Sequence, residues 1–403
     1  MSARSRAHLG VACVGVSWVT FNEIVEDVVS KPETERMPSV LLEAWPVAVG
    51  DPAAVWALRG SLPALLESLP SAESNRVAGL VHSWVLTTWL LSEVLADLES
   101  SRTAGAQAHE ASRVRASILD ALAERRSYSM IRLAEGEGKA MALWPSPPAP
   151  LLMSELEPVL NEHLRKVAAV KWRNWFGVLP PVIPEAVNLV GEQVAHSVRS
   201  ADAIGLRPQS RHQRTFTAWQ DSGKTSLADV LAFDGLARVF AEQHGASLLL
   251  PMDSVVAWNA DGTLAEAVAA AERVVLVTGY AEAAEYLAGR TGANIACVRI
   301  PSERKPSVPT EVRAADEPGK HLLRFAAIRD EVRELSGPGV LVLVAGGLLG
   351  KVYVHDASSS GAVAIDIGAV VDGWLGLSTR PRLQTDRAKL DFAPQSSTLK
   401  AEE

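Results

Sequence analysis

The stretch that decides the fold is Gly339–Lys351, which reads GVLVLVAGGLLGK. Its first part is an unbroken run of Val and Leu, and such a run predicts a strand buried on both faces. The glycines end the strand, and a helix is predicted to follow them. A second run of the same kind, RVVLVTG, lies at Arg273–Gly279. Strands of this composition are typical of a parallel sheet covered by helices.

Further strands and helices alternate on both sides of these two runs. Strands are predicted at Tyr128–Leu133, Ala201–Leu206, Ser247–Pro251, Asn294–Pro301 and Gly361–Gly368, and helices at Leu151–Val170, Pro184–Arg199, Ser226–His244 and His321–Leu335. This alternation predicts an α/β fold with a doubly wound, mostly parallel, Rossmann-like sheet. In such sheets ligands bind beyond the carboxyl ends of the strands.

The pattern divides the chain into three parts. Residues 1–110 carry apolar residues at helical spacing and predict a helical accessory region, through which the chain would form a homo-oligomer. Residues 111–380 form the predicted α/β domain, and residues 381–403 a polar, flexible tail. The most apolar helix candidate, Ala78–Ala96, is interrupted by His82 and Glu93. We therefore expect no membrane span.

The net charge and the cysteine content argue against some classes of partner and of site. The formal net charge is −8, and a nucleic-acid-binding surface would need the opposite sign, so we expect no nucleic-acid partner. Cys13 and Cys297 are the only cysteines, and they form neither a disulfide framework nor a zinc pattern. A reducing compartment, the cytoplasm, is the simpler expectation.

The strongest local motif is Ile131–Gly138, which reads IRLAEGEG. It predicts a strand that ends in a glycine-flanked turn and presents Glu135 and Glu137. In extended backbone, residues two apart point the same way, so both carboxylates would approach one Mg²⁺ or Mn²⁺ ion. Arg132 would bind a phosphate or one of the carboxylates. The alternative is an ordinary solvated acidic turn.

Three further features contain candidate binding residues. The glycine-rich turn with Gly346, Gly347, Gly350 and Lys351 is neither a Walker A loop nor a Rossmann fingerprint, but its backbone amides would meet an anion. Tight packing of a strand on a helix explains the same glycines equally well. Arg207 begins a basic cluster that either binds phosphate or is a solvated loop.

The third of these features is the apolar strand that contains Asp366, with Asp372 close behind it. An aspartate in an apolar strand is costly to bury unless it is hydrogen-bonded or functional. Its alternative role is to cap the following turn.

Taken in order, these motifs are similar to those of the GT-D-fold glycosyltransferases, a bacterial family that transfers a sugar from a nucleotide sugar. The matching segments are IRLAEGE, ADAIGL, VLVLVAGGLLGKV, and AIDIG followed by VVDGW, and they cover roughly residues 126–380. The resemblance implies a metal motif at Glu135 and Glu137, an upstream arginine at Arg132 and a terminal-strand aspartate at Asp366. Two departures are Glu135, where Asp is more familiar, and Ala369, where many relatives carry His.

The resemblance implies a glycosyltransferase that uses Mn²⁺ or Mg²⁺ and a nucleotide-diphosphate sugar, with UDP-sugar favoured. In this hypothesis the metal neutralises the leaving diphosphate, and Asp366 or Asp372 orients the sugar or takes the proton of an acceptor hydroxyl. The rival is a nucleotide-sugar-binding protein without turnover, which the two departures favour. An NAD-dependent oxidoreductase is a weaker third reading, because the properly spaced glycine loop is missing.

Overall fold

Seven parallel strands form one sheet in the part of the chain that the structure describes. A computed structural model describes residues 104–141, 143, 168–177, 184–207, 215, 230, 233–234, 237–238, 240–241, 248–301 and 320–377. Within these residues the strands are β1 (Tyr128–Arg132), β2 (Ala203–Leu206), β3 (Leu249–Pro251), β4 (Arg273–Thr278), β5 (Ile295–Arg299), β6 (Val340–Ala345) and β7 (Val363–Asp366). Their order in the sheet is β3-β2-β1-β7-β6-β4-β5, and every neighbouring pair is parallel.

Helices alternate with the strands along the chain. They are α1 (Ala104–Ala123), α2 (Glu135–Met141), α3 (Pro184–Ser200), α4 (Ser254–Ala260), α5 (Thr263–Ala270), α6 (Glu282–Thr291), α7 (Lys320–Leu323), α8 (Phe325–Leu335), α9 (Gly350–Ser359) and α10 (Val370–Trp374). Residues 168–176 are also helical. All these elements belong to one compact unit of the chain, which comprises residues 101–151, 164–211 and 233–403.

The sheet has an apolar core on each face, as the Val- and Leu-rich strands predict. Along β6, Val342 and Val344 face one core, which α3, α8 and α9 complete. Leu341 and Leu343 face the other core, against α1, α5 and α6. Alternate side chains of a strand point to opposite faces, so a strand between two helical layers is apolar along most of its length. The predicted α/β fold with helices on both faces is confirmed, and its sheet is wholly parallel.

Several sequence predictions lie outside the described residues. These are residues 1–103 of the helical region predicted over residues 1–110, the candidate helix Ala78–Ala96, most of Leu151–Val170 and Ser226–His244, and the tail predicted at residues 381–403. Helix α1 begins at Ala104 and runs across the domain boundary predicted at residue 111. Among the described helices, none is long and apolar enough to cross a membrane.

Candidate functional site

The candidate site lies where β7 is inserted between β1 and β6. The helices that follow β1 and β6, α2 and α9, pack into the same core. Helix α10, which follows β7, packs into the core on the other face. After β1 and β6 the chain therefore continues on one face of the sheet, and after β7, which lies between them, it continues on the other face. A doubly wound sheet opens a crevice at its carboxyl edge where this occurs, and ligands bind in that crevice.

Four charged side chains meet at this edge, and we call them the inner ion cluster: Arg132, Glu137, Lys351 and Asp366. Arg132 Nη2 donates to Asp366 Oδ1 at 3.2 Å. Lys351 Nζ lies 2.8 Å from Asp366 Oδ2 and 2.9 Å from Glu137 Oε1. The second oxygen of Glu137 accepts the backbone N–H of Ala134 at 3.1 Å. Two cations thus face two carboxylates, and the formal charge of the cluster is zero.

Lys351 is the most enclosed cation of the cluster. Its side chain is 4% exposed, and its ammonium also donates to the carbonyl of Gly347 at 3.0 Å. Burial alone would lower the pKa of this ammonium, but the carboxylates of Asp366 and Glu137 outweigh burial and raise the pKa above its ordinary value. Lys351 is therefore charged in the folded protein.

Asp366 shows the complementary shift. Burial alone would raise the pKa of its carboxyl, but Lys351 and Arg132 outweigh burial and hold the pKa below its ordinary value. The carboxylate ends β7, so the sheet itself delivers it to the crevice. An ionised aspartate held by two cations is poorly suited to accept a proton.

Two glycines shape the seat of Arg132. A Cβ placed on Gly368 would lie 1.6 Å from Arg132 Nη2, and a Cβ on Gly205 would lie 3.1 Å from its Cγ. Gly368 also has a φ of +48°, a conformation that other residues rarely adopt. The Nε of Arg132 is buried, and no hydrogen-bond acceptor reaches it within the described part of the chain. An anion in the crevice would supply that acceptor.

Glu135 belongs to a separate outer ion cluster with Lys139, Arg207 and Asp234. It forms an ion pair with Lys139 one helical turn away and lies 3.7 Å from Arg207 Nη2. Arg207 Nε in turn lies 2.6 Å from Asp234 Oδ2. Burial alone would raise the pKa of Glu135, but Lys139 and then Arg207 outweigh burial and lower it. Arg207 therefore binds protein carboxylates in this arrangement.

The geometry predicted for the IRLAEGEG motif is wrong. Glu135 and Glu137 occupy the first turn of helix α2 and do not lie in extended backbone. Side chains two apart on a helix point in widely different directions. The two carboxylates consequently contact different cations, Lys139 and Lys351. The alternative prediction, an ordinary solvated acidic turn, is also wrong, because Glu137 is buried.

These contacts do not fit a divalent metal shared by Glu135 and Glu137. Each carboxylate has a lysine ammonium within ion-pair distance. A metal ion bound to either carboxylate would therefore be repelled by the neighbouring ammonium. No cluster of three or more His, Cys, Asp or Glu side chains suited to a metal occurs among the residues described above. Metal binding itself stays a prediction that only titration can test.

The remaining candidates fall into two places. The turn before α9 is tight, and a Cβ on Gly346 would lie 2.9 Å from the Cα of Gly350. Close packing therefore explains these glycines. Gly347 contributes its carbonyl to Lys351. Asp372 lies on α10. The pKa of Tyr280, which follows β4, is raised mainly by burial and secondly by the charge of Asp372. The basic residues Arg211, His212 and Arg214 lie outside the described residues.

Sequence reasoning missed two members of the outer cluster. Lys139 had a signal, since it stands four residues after Glu135, the spacing of a helical ion pair. Asp234 had none, because only the fold brings its helix beside the end of β2.

Comparisons with models of protein families, with curated proteins and with solved structures find no match. The resemblance to GT-D-fold glycosyltransferases therefore rests on the order of the motifs alone.

Proposed function

We propose that the crevice between β1, β7 and β6 binds a nucleotide-diphosphate sugar, with UDP-sugar favoured, and transfers its sugar to an acceptor hydroxyl. One observation carries this proposal. The guanidinium of Arg132 lies at the carboxyl end of β1, against a glycine, with a buried Nε–H that no described residue accepts. A phosphate matches the forked donors of arginine in charge and in geometry.

The other members of the inner ion cluster position this arginine. Asp366 fixes one guanidinium nitrogen, and Lys351 holds Asp366 from the other side. Removing water from such a site strengthens every charged contact with a diphosphate. The inner ion cluster has no net charge before the ligand binds. The negative charge of the donor's diphosphate would therefore be stabilised by the Nε–H of Arg132 and by the dipoles of backbone amides around the glycine turn.

The proposed reaction forms one bond and breaks one. The acceptor oxygen attacks the anomeric carbon, the bond from that carbon to the diphosphate oxygen breaks, and the electron pair leaves with the nucleoside diphosphate. The acceptor proton passes to a carboxylate and then to water. Asp372 is the candidate for this step, because Asp366 is held by two cations. No step is assigned to a metal.

A second candidate, binding of a nucleotide sugar without turnover, has its own supporting observation. Both carboxylates of the inner cluster are paired with lysine or arginine. In that arrangement neither is a base. A protein of this kind would bind the donor, and its Asp372 would have no catalytic role.

A thermal-shift screen of the full chain against nucleotide sugars tests the proposal. We expect one UDP- or GDP-sugar to raise the Tm, and we expect Arg132→Met to abolish that rise. Arg115→Met is the matched control, because Arg115 is an exposed arginine of α1 that pairs with Glu266 of α5. A folded protein that responds to no nucleotide sugar would overturn both candidates.

Release of nucleoside diphosphate then separates the two candidates. A transferase releases it in the presence of acceptor or slowly to water, and Asp372→Asn should lower the rate while the thermal shift persists. A donor that binds and is never consumed with any acceptor identifies the binding protein.

A further inference from the structure

We infer that Lys351 is a built-in cation that occupies the place where a divalent metal would bind the carboxylates of this site. The inference starts from the contacts of its ammonium. That group has three N–H donors, and three acceptors lie around it: Asp366 Oδ2, Glu137 Oε1 and the Gly347 carbonyl. These oxygens come from β7, from α2 and from the glycine turn, so one cation joins three elements of the crevice.

Oxygen ligands of this kind are those of a hard metal ion. Ca²⁺ is bound by carboxylate and backbone carbonyl oxygens, and Mg²⁺ by one or two carboxylates together with water or substrate phosphate. Here one ammonium lies within 3.0 Å of all three oxygens, and its side chain is 4% exposed. A metal could reach Glu137 or Asp366 only by displacing Lys351 or by lying beside its positive charge.

The rest of the cluster is built around this charge. Helix α9 begins at Gly350, so Lys351 stands in its first turn. The N-terminus of a helix disfavours a cation, and the two carboxylates and the Gly347 carbonyl offset that cost. Lys351 is thus held by specific partners and not by its helix position. Because its ammonium forms an ion pair with Asp366, which accepts from Arg132, Lys351 acts as a positioning residue for Asp366 and, through Asp366, for Arg132.

Two consequences follow for binding. The protein without ligand should bind no divalent cation at the inner cluster. The diphosphate should bind without a metal, and this second consequence rests on the proposed function, whereas the first does not.

Titration of Mn²⁺ into the full chain, followed by electron paramagnetic resonance of free Mn²⁺ and by thermal shift, tests the first consequence. We expect no binding that depends on Glu137 in the wild type. We expect Lys351→Met to leave Glu137 and Asp366 without their cation, to lower the Tm in EDTA, and to gain a Mn²⁺-dependent rise in Tm of about 3 °C or more. Lys139→Met is the matched control and should gain no such response, because Arg207 still faces Glu135.

Each outcome decides the inference. Mn²⁺ binding by the wild type that Glu137→Gln abolishes would overturn it, and so would a folded Lys351→Met chain that gains no response to Mn²⁺. Should Lys351→Met fail to fold, the wild-type and Glu137→Gln titrations decide.

The same chain titrated with UDP in EDTA and in Mn²⁺ tests the second consequence. Equal thermal shifts in both conditions support metal-free binding, and a shift that requires Mn²⁺ contradicts it. A protein that ignores UDP and every nucleotide sugar would end the proposed function, while the Mn²⁺ titration of the unliganded chain would still stand.

Discussion

At the scale of single residues, the site depends on how closely backbone approaches the guanidinium of Arg132. Gly368 follows β7 by two residues, and its missing side chain is the space that the guanidinium fills. The same turn places Asp366 where it accepts from Arg132. The glycine therefore has a double role, since it permits a positive φ and leaves room for the guanidinium of Arg132.

Gly368→Ala should accordingly cost more than a change at another glycine of the same backbone conformation. Gly292 ends helix α6 with a φ of +68°, and a Cβ there would meet nothing within 4 Å. Both substitutions introduce backbone strain of about 1 kcal/mol. Gly368→Ala should lose about 1 to 3 kcal/mol more, because its methyl group displaces Arg132 from Asp366. Urea denaturation of the two variants measures the difference, and equal losses would show that Arg132 moves aside freely.

At the scale of secondary-structure elements, the strands and the residues of the inner ion cluster were predictable, and the contacts among those residues were not. Unbroken Val and Leu runs marked β4 and β6 to within a residue or two, because the middle of a strand that is covered on both faces is apolar. The order of the strands had no local signal. Nothing in the sequence between residues 361 and 368 says that β7 pairs with β1, which precedes it by more than 200 residues.

Helix α2 shows why the site geometry was missed. Its sequence EGEGKAM contains two glycines, which are poor helix formers, so an extended turn was the local preference. Tertiary packing overrides that preference. A Cβ on Gly138 would lie 1.8 Å from the carbonyl oxygen of Phe233, so this glycine lets the helix approach a neighbouring segment. The ion pairs of Lys351 were missed for a related reason. Its carboxylate partners, Glu137 and Asp366, lie on other elements, so only the fold brings them together.

Helices α8 and α9 are joined by a carboxylate that gives a second stability test. Asp356 is buried and accepts from Arg329 Nε at 2.7 Å and from Arg333 Nη2 at 2.6 Å. Asp356→Asn should destabilise the protein by about 2 kcal/mol, because it removes one charge from a partly buried, bidentate network. Asp330→Asn is the matched control. Asp330 is 76% exposed and pairs only with Arg333 among the described contacts, so its loss should cost less than about 0.5 kcal/mol.

Chemical denaturation at constant pH compares these two variants. A loss at Asp330 as large as that at Asp356 would mean that the network stabilises α8 by its total charge, independently of burial.

At the scale of the whole α/β unit, one of the two cores contains a titratable pair. His321 on α7 is buried, and its Nε2 lies 2.9 Å from the hydroxyl oxygen of Tyr353 on α9. The ring of Phe176 packs on its edge, with centroids 6.0 Å apart. Burial, and to a smaller extent Arg324, lowers the pKa of His321 to about 3. A polar group thus sits neutral inside an apolar layer, hydrogen-bonded to a neighbouring helix.

This arrangement predicts that acid destabilises the core through His321. In the unfolded chain the imidazole has its ordinary pKa near 6.5 and binds a proton as the pH falls below that value, whereas the folded ring stays neutral down to about pH 3. Unfolding is therefore favoured as the pH falls from 6.5 towards 3, and the stabilisation is complete only above this window. Between pH 7 and pH 5 the group should lower the free energy of unfolding by about 2 kcal/mol.

Other side chains also titrate in this range, so the measure is the difference between wild type and His321→Gln. The glutamine keeps a polar partner for Tyr353 and carries no titratable proton, so its free energy of unfolding should lose that part of the pH dependence. Tyr353→Phe is the control, because it removes the hydroxyl and leaves His321 buried, and it should retain the wild-type slope. If wild type and His321→Gln had equal slopes, the ring would have to reach solvent in the folded state, and the packing of α7 against Phe176 and Tyr353 could not be closed.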